Sequence, residues 1–319
     1  MKEAYISLGA NLGNREETIL QALVMLSEET GVEVTKISDF YETKAWGKSE
    51  QPDFINAAAK VLTDKKPKEF LDILLDIEQK LGRKRLEHWG ARTIDIDIID
   101  FENMAMDTEK LKLPHPYFNE RNFVLKPLLE IASGHIIKGD TIKNYLFNCK
   151  DKLSVRKTNV MNFDISMIAA VDAGGGICKK GELLYRLQED LRFFRRKTIG
   201  GVVVVGRKTF EGMGKLVGRE IIVLSGSKRF KDKNIETTAS VVELFRLLNR
   251  FQNKKIFVAG GAEIFKILAP YARKAYITHI LDKREADRFM PVLHDFKLKT
   301  MRFSEDTGIK LAFATYEKG

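Results

Sequence analysis

Cysteine is scarce: Cys149 and Cys178 are the only two in 319 residues. Two cysteines in so long a chain exclude a disulfide framework, and no metal-ligand spacing suggests a structural metal site. Long apolar runs are absent as well. None approaches the ~20 residues that span a bilayer, so no membrane partner is expected. The opening stretch MKEAYISLGANLGN lacks the apolar core of a signal peptide and carries Glu3 early, which makes the expected address cytoplasmic. There is no basic stripe interleaved with aromatics and no zinc-finger spacing, so nucleic acid is not an expected partner. No long linear repeat is visible. Small molecules are the expected partners, and a homo-oligomer stays open because nothing in the sequence bears on it.

What is present is ordinary for globular protein: 44% hydrophobic and 31% charged residues. The length suggests two domains. The net charge of +10 is unevenly spread. Residues 1–160 hold 24 Lys and Arg against 26 Asp and Glu, whereas residues 161–319 hold 30 against 18. The second half either handles anions or carries solvated surface lysines.

The first half opens with a short strand, AYISLGA, and a helix from about Arg15 to Leu26 that Asn14 caps. Strand-like VEVTKISDFYET follows. Phe70, Leu74, Ile77 and Leu81 recur at helical spacing across 67–82, and TIDIDIIDF alternates as a strand. From Cys149 to Val160 the chain is polar and basic, then MNFDISMIAAV begins a fresh strand at a methionine. The expected division is therefore 1–150, a linker at 151–160, and 161–319, as if two genes were joined end to end. The second half contains two strand–glycine–helix units, GVVVVGRKTFEGM and KKIFVAGGAEIFKIL. Four consecutive valines signal a strand buried on both faces. The alternation predicts a mostly parallel twisted sheet flanked by helices, with ligands at the carboxyl ends of its strands.

At period two, Asp95 and Asp97 share one face of TIDIDIID while Ile94, Ile96 and Ile98 take the other. Adjacent carboxylates on a rigid strand suit Mg2+, which takes one or two carboxylates plus substrate phosphates. Arg83, Arg85 and Arg92 lie just upstream. Acids beside arginines equip a site for phosphoryl transfer; equally, the acids salt-bridge those arginines on an exposed face.

The runs SLGANLGN, FYETKAWGKSEQPDFINAA, GRKRLEHWGARTIDIDIIDF and LPHPYFNERNFVLKPLLEIA resemble 6-hydroxymethyl-7,8-dihydropterin pyrophosphokinase, over about residues 1–150 and in the family's order. The resemblance implies an α+β ferredoxin-like sandwich and transfer of pyrophosphate from ATP to the pterin hydroxymethyl group, releasing AMP. It implies that Asp95 and Asp97 hold two Mg2+ ions, and that Arg83, Arg85, Arg92, His115 and Arg121 grip the phosphates. Asn56 would hydrogen-bond the pterin, Trp89 would close over the site, and Phe123 would stack on the ring with Phe54 nearby. Glu78 is a nucleotide-side candidate. Trp89 and Phe123 also read as core aromatics. The chain departs from the family where His88-Trp89-Gly90-Ala91-Arg92 replaces Arg-Trp-Gly-Pro-Arg.

In LLYRLQEDLRFFRRKT, Leu187, Leu191 and Phe194 form an apolar stripe, with Asp190 inside it. An ionised carboxylate facing a core costs several kcal/mol unless paired. The alternative is a helix-start acid favoured by the dipole. This run, with ISMIAAV, VVVGRKTFEGMGKLVGR, FVAGGAEIF, YITHI and DRFMP, resembles dihydrofolate reductase from about residue 161 to 319. That family reduces 7,8-dihydrofolate to tetrahydrofolate with NADPH. The resemblance implies that Asp190 takes the pterin's paired N–H donors and promotes protonation at N5. Thr278 would orient Asp190. Leu191, Phe194 and Met213 would line the aromatic-ring pocket, with Tyr185 also against substrate. Arg219 would bind the substrate's glutamate carboxylate. Gly206, Arg207, Lys208, Thr209, Ser225, Gly260, Gly261, Ala170, Ile177 and Ile264 would hold the cofactor, Arg207 and Ser225 at the 2′-phosphate. Departures are Leu183-Leu184-Tyr185 for Leu-Pro-Trp, Gln188 for Pro, and Ile177-Cys178 for Ile-Gly after Gly174-Gly175-Gly176, three glycines that would soften the loop. Cys178 is a reactive thiol or an inert buried one.

Two other readings remain. One half has lost catalysis and acts as a binding or scaffold domain, or the reductase half serves a related pteridine or pyrimidine. The two reactions are not consecutive, so channelling has no simple rationale. Cutting the chain near 150–160 is expected to leave both activities.

Overall fold

The computed structural model describes residues 1–45, 51–83, 92–158 and 163–319. It divides into two units, Met1–Asn162 and Phe163–Gly319, and each mixes helices with strands. Among the described residues no helix is long and apolar enough to cross a membrane.

The first unit runs β1 (Lys2–Ala10), α1 (Arg15–Glu28), β2 (Val32–Ile37), β3 (Tyr41–Thr43), β4 (Phe54–Thr63), α2 (Pro67–Lys80), β5 (Asp95–Phe101), α3 (Asn122–Ala132), α4 (Ile142–Asn148) and β6 (Val155–Lys157). Its sheet has the order β6-β3-β4-β1-β5, with β2 also on β4, and every pairing is antiparallel. The helices start where the sequence signals them. The Asn14 side chain accepts the Glu17 N–H at the head of α1, leaving Ile19, Leu20, Leu23 and Leu26 to face the core. Pro67 opens α2, whose Phe70, Leu74 and Ile77 are buried. Ile94, just before β5, and Ile96 and Ile98 on it are buried, and Asp95 and Asp97 point to the opposite, open face.

The second unit runs β7 (Ile165–Val171), β8 (Gly176–Lys179), α5 (Gln188–Thr198), β9 (Val202–Gly206), α6 (Arg207–Gly212), β10 (Glu220–Leu224), β11 (Ile235–Thr238), α7 (Val241–Leu248), β12 (Ile256–Val258), α8 (Ala262–Leu268), β13 (Lys274–Ile280), β14 (Phe296–Asp306) and β15 (Ile309–Lys318). The eight-stranded sheet has the order β11-β10-β9-β12-β7-β13-β15-β14. Pairings from β11 to β13 are parallel; β15 and β14 join antiparallel. Val202 to Val205 are wholly buried at its centre.

The stripe on α5 differs from its sequence reading. Leu191 is 44% exposed, and the helix anchors through Phe193 at 6%. Phe193 and Leu187 pack with Tyr185, Ile280, Leu311 and Phe313, while Phe194 packs on the other side against Val203, Val205, Ile221 and Val223. The helix lies between two apolar clusters, so adjacent phenylalanines are both used and Leu191 faces the open groove. The triple-glycine turn also differs, being pinned rather than soft. The Asp172 carboxylate accepts the N–H groups of Gly174, Gly176 and Arg284 at 2.8, 2.8 and 3.0 Å. Replacing Phe193 with Ala is expected to destabilise this unit by about 3–5 kcal/mol. Leu191→Ala is expected to change it by less than about 0.5 kcal/mol in urea unfolding.

Candidate functional sites

In the first unit a cavity opens over the ends of β1, β3, β4 and β5. Its lining includes Gly9, Thr43, Phe54, Asn56, Arg92, Asp95, Asp97, Arg121 and Phe123. The fold thus gathers seven residues singled out from three separate stretches of sequence. Asn56 is buried, and its Nδ2 donates to Thr43 Oγ1 at 2.9 Å, which fixes the amide against the cavity. Gly9 is needed beside it, since a Cβ there would lie 3.1 Å from Asn56 Oδ1. Phe123 is only half-buried and lies under the Arg121 guanidinium, 5.9 Å from its ring centre.

The two acids have different neighbours. Asp95 lies between Arg83 Nη2 at 2.9 Å and Arg92 Nη1 at 2.5 Å. Asp97 makes no arginine pair among the described residues; its nearest basic atom is His115 Nε2 at 3.9 Å. Burial, then the charges of Asp95 and Glu78, push the Asp97 carboxyl up to about 7 against the pull of Arg121 and Arg92. His115 is pushed down to about 4 by burial and by Arg121, so it is neutral at pH 7 and gives Asp97 no counter-charge.

Glu78 does not line the cavity as the nucleotide-side reading expected. It is 2% exposed, accepts the Ile96 N–H at 2.7 Å and pairs with Arg83, so it braces β5 and aims Arg83 at Asp95. Arg85 and Trp89, with His88 and Ala91, lie outside the described residues.

Sequence reasoning used Asn11 only as part of a motif. Its side chain accepts the Arg92 N–H at 2.7 Å and donates to Gln51 Oε1 at 3.3 Å and the Pro52 carbonyl at 3.4 Å. One buried amide therefore joins the segment carrying Arg92 to the segment entering Phe54. A polar residue amid small ones after a strand was the available signal.

In the second unit Asp190 sits in the first turn of α5, half-buried, with no cation at ion-pair distance among the described residues. Burial pushes its carboxyl up, and the nearby Thr278 hydroxyl pulls part of the way back. That hydroxyl makes no hydrogen bond of normal geometry. The helix-start N–H of Glu189 is instead satisfied by Asp306 Oδ2 at 2.9 Å, from the distant end of β14. Asp190 is thus not the acid that caps its own helix.

At the carboxyl ends of the adjacent parallel strands β9 and β12, Gly206 donates its N–H to Gly260 O at 2.7 Å. A Cβ on Gly206 would come within 3.1 Å of Ile264, and one on Gly261 within 3.3 Å of Thr209 Oγ1. An added side chain at either glycine would crowd its neighbour, so the two backbone turns approach each other closely. Lys208 is exposed beside them. Arg207 pairs with Glu211 at 2.9 Å, and Ser225 Oγ accepts the Lys228 N–H at 3.0 Å. Arg219 is buried and donates to the Val217 carbonyl and Thr198 Oγ1. Met213 packs with Phe194 against the central strands. Ala170 packs against the Tyr185 cluster, and Ile177 is half-buried on β8.

Tyr185 is buried, packed with Leu187 and Phe193, and Arg284 covers its ring at 4.1 Å. Burial raises the Cys178 thiol, which favours the inert reading.

Residues 5–133 match the family model for 7,8-dihydro-6-hydroxymethylpterin-pyrophosphokinase, and residues 164–318 match that for dihydrofolate reductase. The 2-amino-4-hydroxy-6-hydroxymethyldihydropteridine pyrophosphokinase of Bacillus subtilis is 45% identical over 129 residues, covering 40% of this chain and 77% of that protein. The chain belongs to that pyrophosphokinase family, with a dihydrofolate reductase domain behind it. It is a bifunctional enzyme, a pyrophosphokinase and a reductase. The Methylorubrum extorquens pyrophosphokinase is 40% identical over 46% of this chain and 92% of its own length. The Lactococcus lactis bifunctional protein FolKE is 41% identical over 42% of this chain and 38% of its own. A solved dihydrofolate reductase from Enterococcus faecalis, complexed with NADP(H) and RAB-propyl, is 30% identical over 49% of this chain and 98% of that one, with a TM-score of 0.45.

Asn11→Ala leaves the Arg92 and Gln51 segments without their shared anchor. Pyrophosphokinase turnover is expected to fall about tenfold, as for loss of one or two buried hydrogen bonds. The reductase rate, measured on the same preparation, is expected to stay unchanged.

Proposed function

We propose that the first unit transfers pyrophosphate from ATP to 6-hydroxymethyl-7,8-dihydropterin, releasing AMP, and that the second reduces 7,8-dihydrofolate to tetrahydrofolate with NADPH. The observation that carries this is geometric: Asp95, Asp97, Arg92, Arg121, Asn56 and Phe123 surround one cavity in the first unit, and Asp190 stands in the first turn of α5 with no ion-pair partner among the described residues of the second. We read the first unit as a ferredoxin-like sandwich and the second as a dihydrofolate reductase-type twisted sheet. Both act on small polar molecules, which accords with a cytoplasmic address.

Asp95 and Asp97 fit Mg2+: two hard oxygen donors share one face of a strand, and one of them lacks counter-charge. When bound, the metal supplies positive charge across the ATP phosphates. Arg83, Arg92 and Arg121 hold phosphate oxygens, Arg85 joins them, and neutral His115 offers one hydrogen bond. The pterin ring stacks on Phe123, with Phe54 nearby and Trp89 closing over it. Asn56, its amide fixed by Thr43, reads the ring's polar edge.

The glycine-lined cleft of the second unit fits NADPH, whose pyrophosphate needs close backbone approach at the heads of α6 and α8. When bound, it supplies the hydride. Lys208, Thr209, Ala170, Ile177 and Ile264 line its path, and Arg207 and Ser225 take the 2′-phosphate. The Arg207–Glu211 pair is exposed and weak, so a phosphate dianion displaces the carboxylate. Asp190 accepts two side-by-side N–H donors from the pterin, a strict bidentate geometry. It keeps the proton needed at N5 close to the ring. Leu191, Phe194 and Met213 border the ring and Arg219 takes the substrate's terminal carboxylate.

One preparation is tested twice, for AMP formed from ATP, Mg2+ and hydroxymethyldihydropterin, and for NADPH absorbance with dihydrofolate. Asp97→Asn is expected to lower the first rate at least ~100-fold and spare the second; Asp190→Asn is expected to do the reverse. Equal loss of both rates in either variant would refute the assignment. Asp190 also makes a pH signature. Its folded carboxyl holds a proton to higher pH than the unfolded chain does, so its stabilising share is present at low pH and lost as pH rises through the folded pKa. Asp190→Asn is therefore expected to melt higher than the native sequence at pH 7, with the gap closing toward about pH 4.

A further inference from the structure

Residues 151–158 lead out of the pyrophosphokinase unit, and they are built into it on two sides. Toward α3, the Asp151 carboxylate accepts the Asn122 N–H at 3.0 Å. The Leu153 carbonyl accepts Asn122 Nδ2 at 3.3 Å, and the Val155 carbonyl accepts Lys126 Nζ at 3.3 Å. Toward the sheet, Val155, Arg156 and Lys157 pair with Thr43, Glu42 and Tyr41, and the Thr158 N–H donates to Phe40 O at 2.7 Å.

Each grip touches a residue next to the cavity. Asn122 adjoins Phe123 and Arg121. Thr43 holds Asn56. Glu42 accepts from both Arg156 and Arg15, and Arg15 donates to the Asp53 carbonyl at 2.6 Å, one residue before Phe54. Lys157 pairs with Asp39 and lies 3.5 Å from Glu130 of α3, which itself accepts from the Tyr41 hydroxyl of β3 at 3.0 Å. None of residues 151–158 lines the cavity.

We propose that residues 151–158 are a positioning element of the pterin pocket, holding the Phe123 wall and the Asn56 wall at their working separation. The stretch joining the two enzymes is then also a structural member of one of them. β3 has only three residues, and without β6 it would be a bare edge strand of marginal stability. Stacking and hydrogen bonding to one flat ring demand that both walls keep register, and a shift of about 1 Å is enough to weaken it. The effect falls on pterin binding, because Asp95, Arg83 and Arg92 are held from β5 and its neighbours. The inference rests on the pterin reading of the cavity for its kinetic consequence, and on hydrogen bonds alone for the frame.

The test uses the full chain with Asp151→Ala and Arg156→Ala together. The KM for hydroxymethyldihydropterin is expected to rise about fivefold, chiefly from the lost Asp151–Asn122 hydrogen bond, since the exposed Arg156–Glu42 pair adds little. The KM for ATP, kcat and dihydrofolate reduction are expected to stay within about twofold. Arg156→Lys, which keeps the ion pair with Glu42, is expected to behave as the native chain. Amide hydrogen exchange is expected to quicken at 41–43, 54–56 and 122–126 and not across β1. Unchanged exchange at those segments overturns the proposal whatever the kinetics. A parallel fall in kcat and rise in both KM values also overturns it. If the native chain turns over no pterin, the substrate reading fails, while quickened exchange at both walls still upholds the frame.

Discussion

A carboxylate carried on a packed element, partly withdrawn from water and with no Lys or Arg in ion-pair contact among the described residues, is the constraint on which both halves are organised. Removing such a charge from solvent costs several kcal/mol, and a fold that only sought stability would pair it or replace it. Here the cost is maintained by rigid surroundings. Asp97 is held on β5 by a register with β1 and by three buried isoleucines on the reverse face. Asp190 is held on α5 by Phe193 on one side, Phe194 on the other and the Asp306 contact at the helix head. Each is carried by a packed element, which fixes the face it presents.

The same logic separates the residues facing a ligand from those that hold them. Thr43 fixes Asn56, Glu78 fixes Arg83, and Asn11 ties Arg92 to the Gln51 segment. In the reductase unit Asp172 closes the glycine turn with three backbone N–H bonds, which gather charge-assisted strength in a buried setting. These holders have their own hydrogen-bonding capacity consumed within the protein.

Much of this was legible in the sequence where the signal is local. The alternation of TIDIDIIDF places both aspartates on one face, Asn14 marks the head of α1, and four valines mark a strand covered on both sides. The motifs named Asn56 and Phe123, and the cavity gathers them. What stayed hidden depends on partners far away in the chain. Phe193 rather than Leu191 anchors α5 because two separate apolar clusters flank it, and helical periodicity alone assumes one. Tyr185 turns inward because Arg284, about a hundred residues later, covers its ring. Glu78 supports rather than lines the site because Ile96 and Arg83 claim its oxygens.

The joint between the halves is where the two levels of description meet. Composition alone marks 149–160 as polar and basic, the profile of a connector. Its hydrogen bonds give it a different status, since Asp151, Leu153, Val155 and Arg156 each hold an element of the first unit. A sixth strand completing the sheet bears on where a second domain can be attached. Any attachment ahead of Thr158 would remove β3's outer neighbour; one beyond it leaves the ladder whole. The second unit begins at Phe163, five residues along the chain from Thr158, whose N–H closes the last hydrogen bond of the first unit's ladder among the described residues.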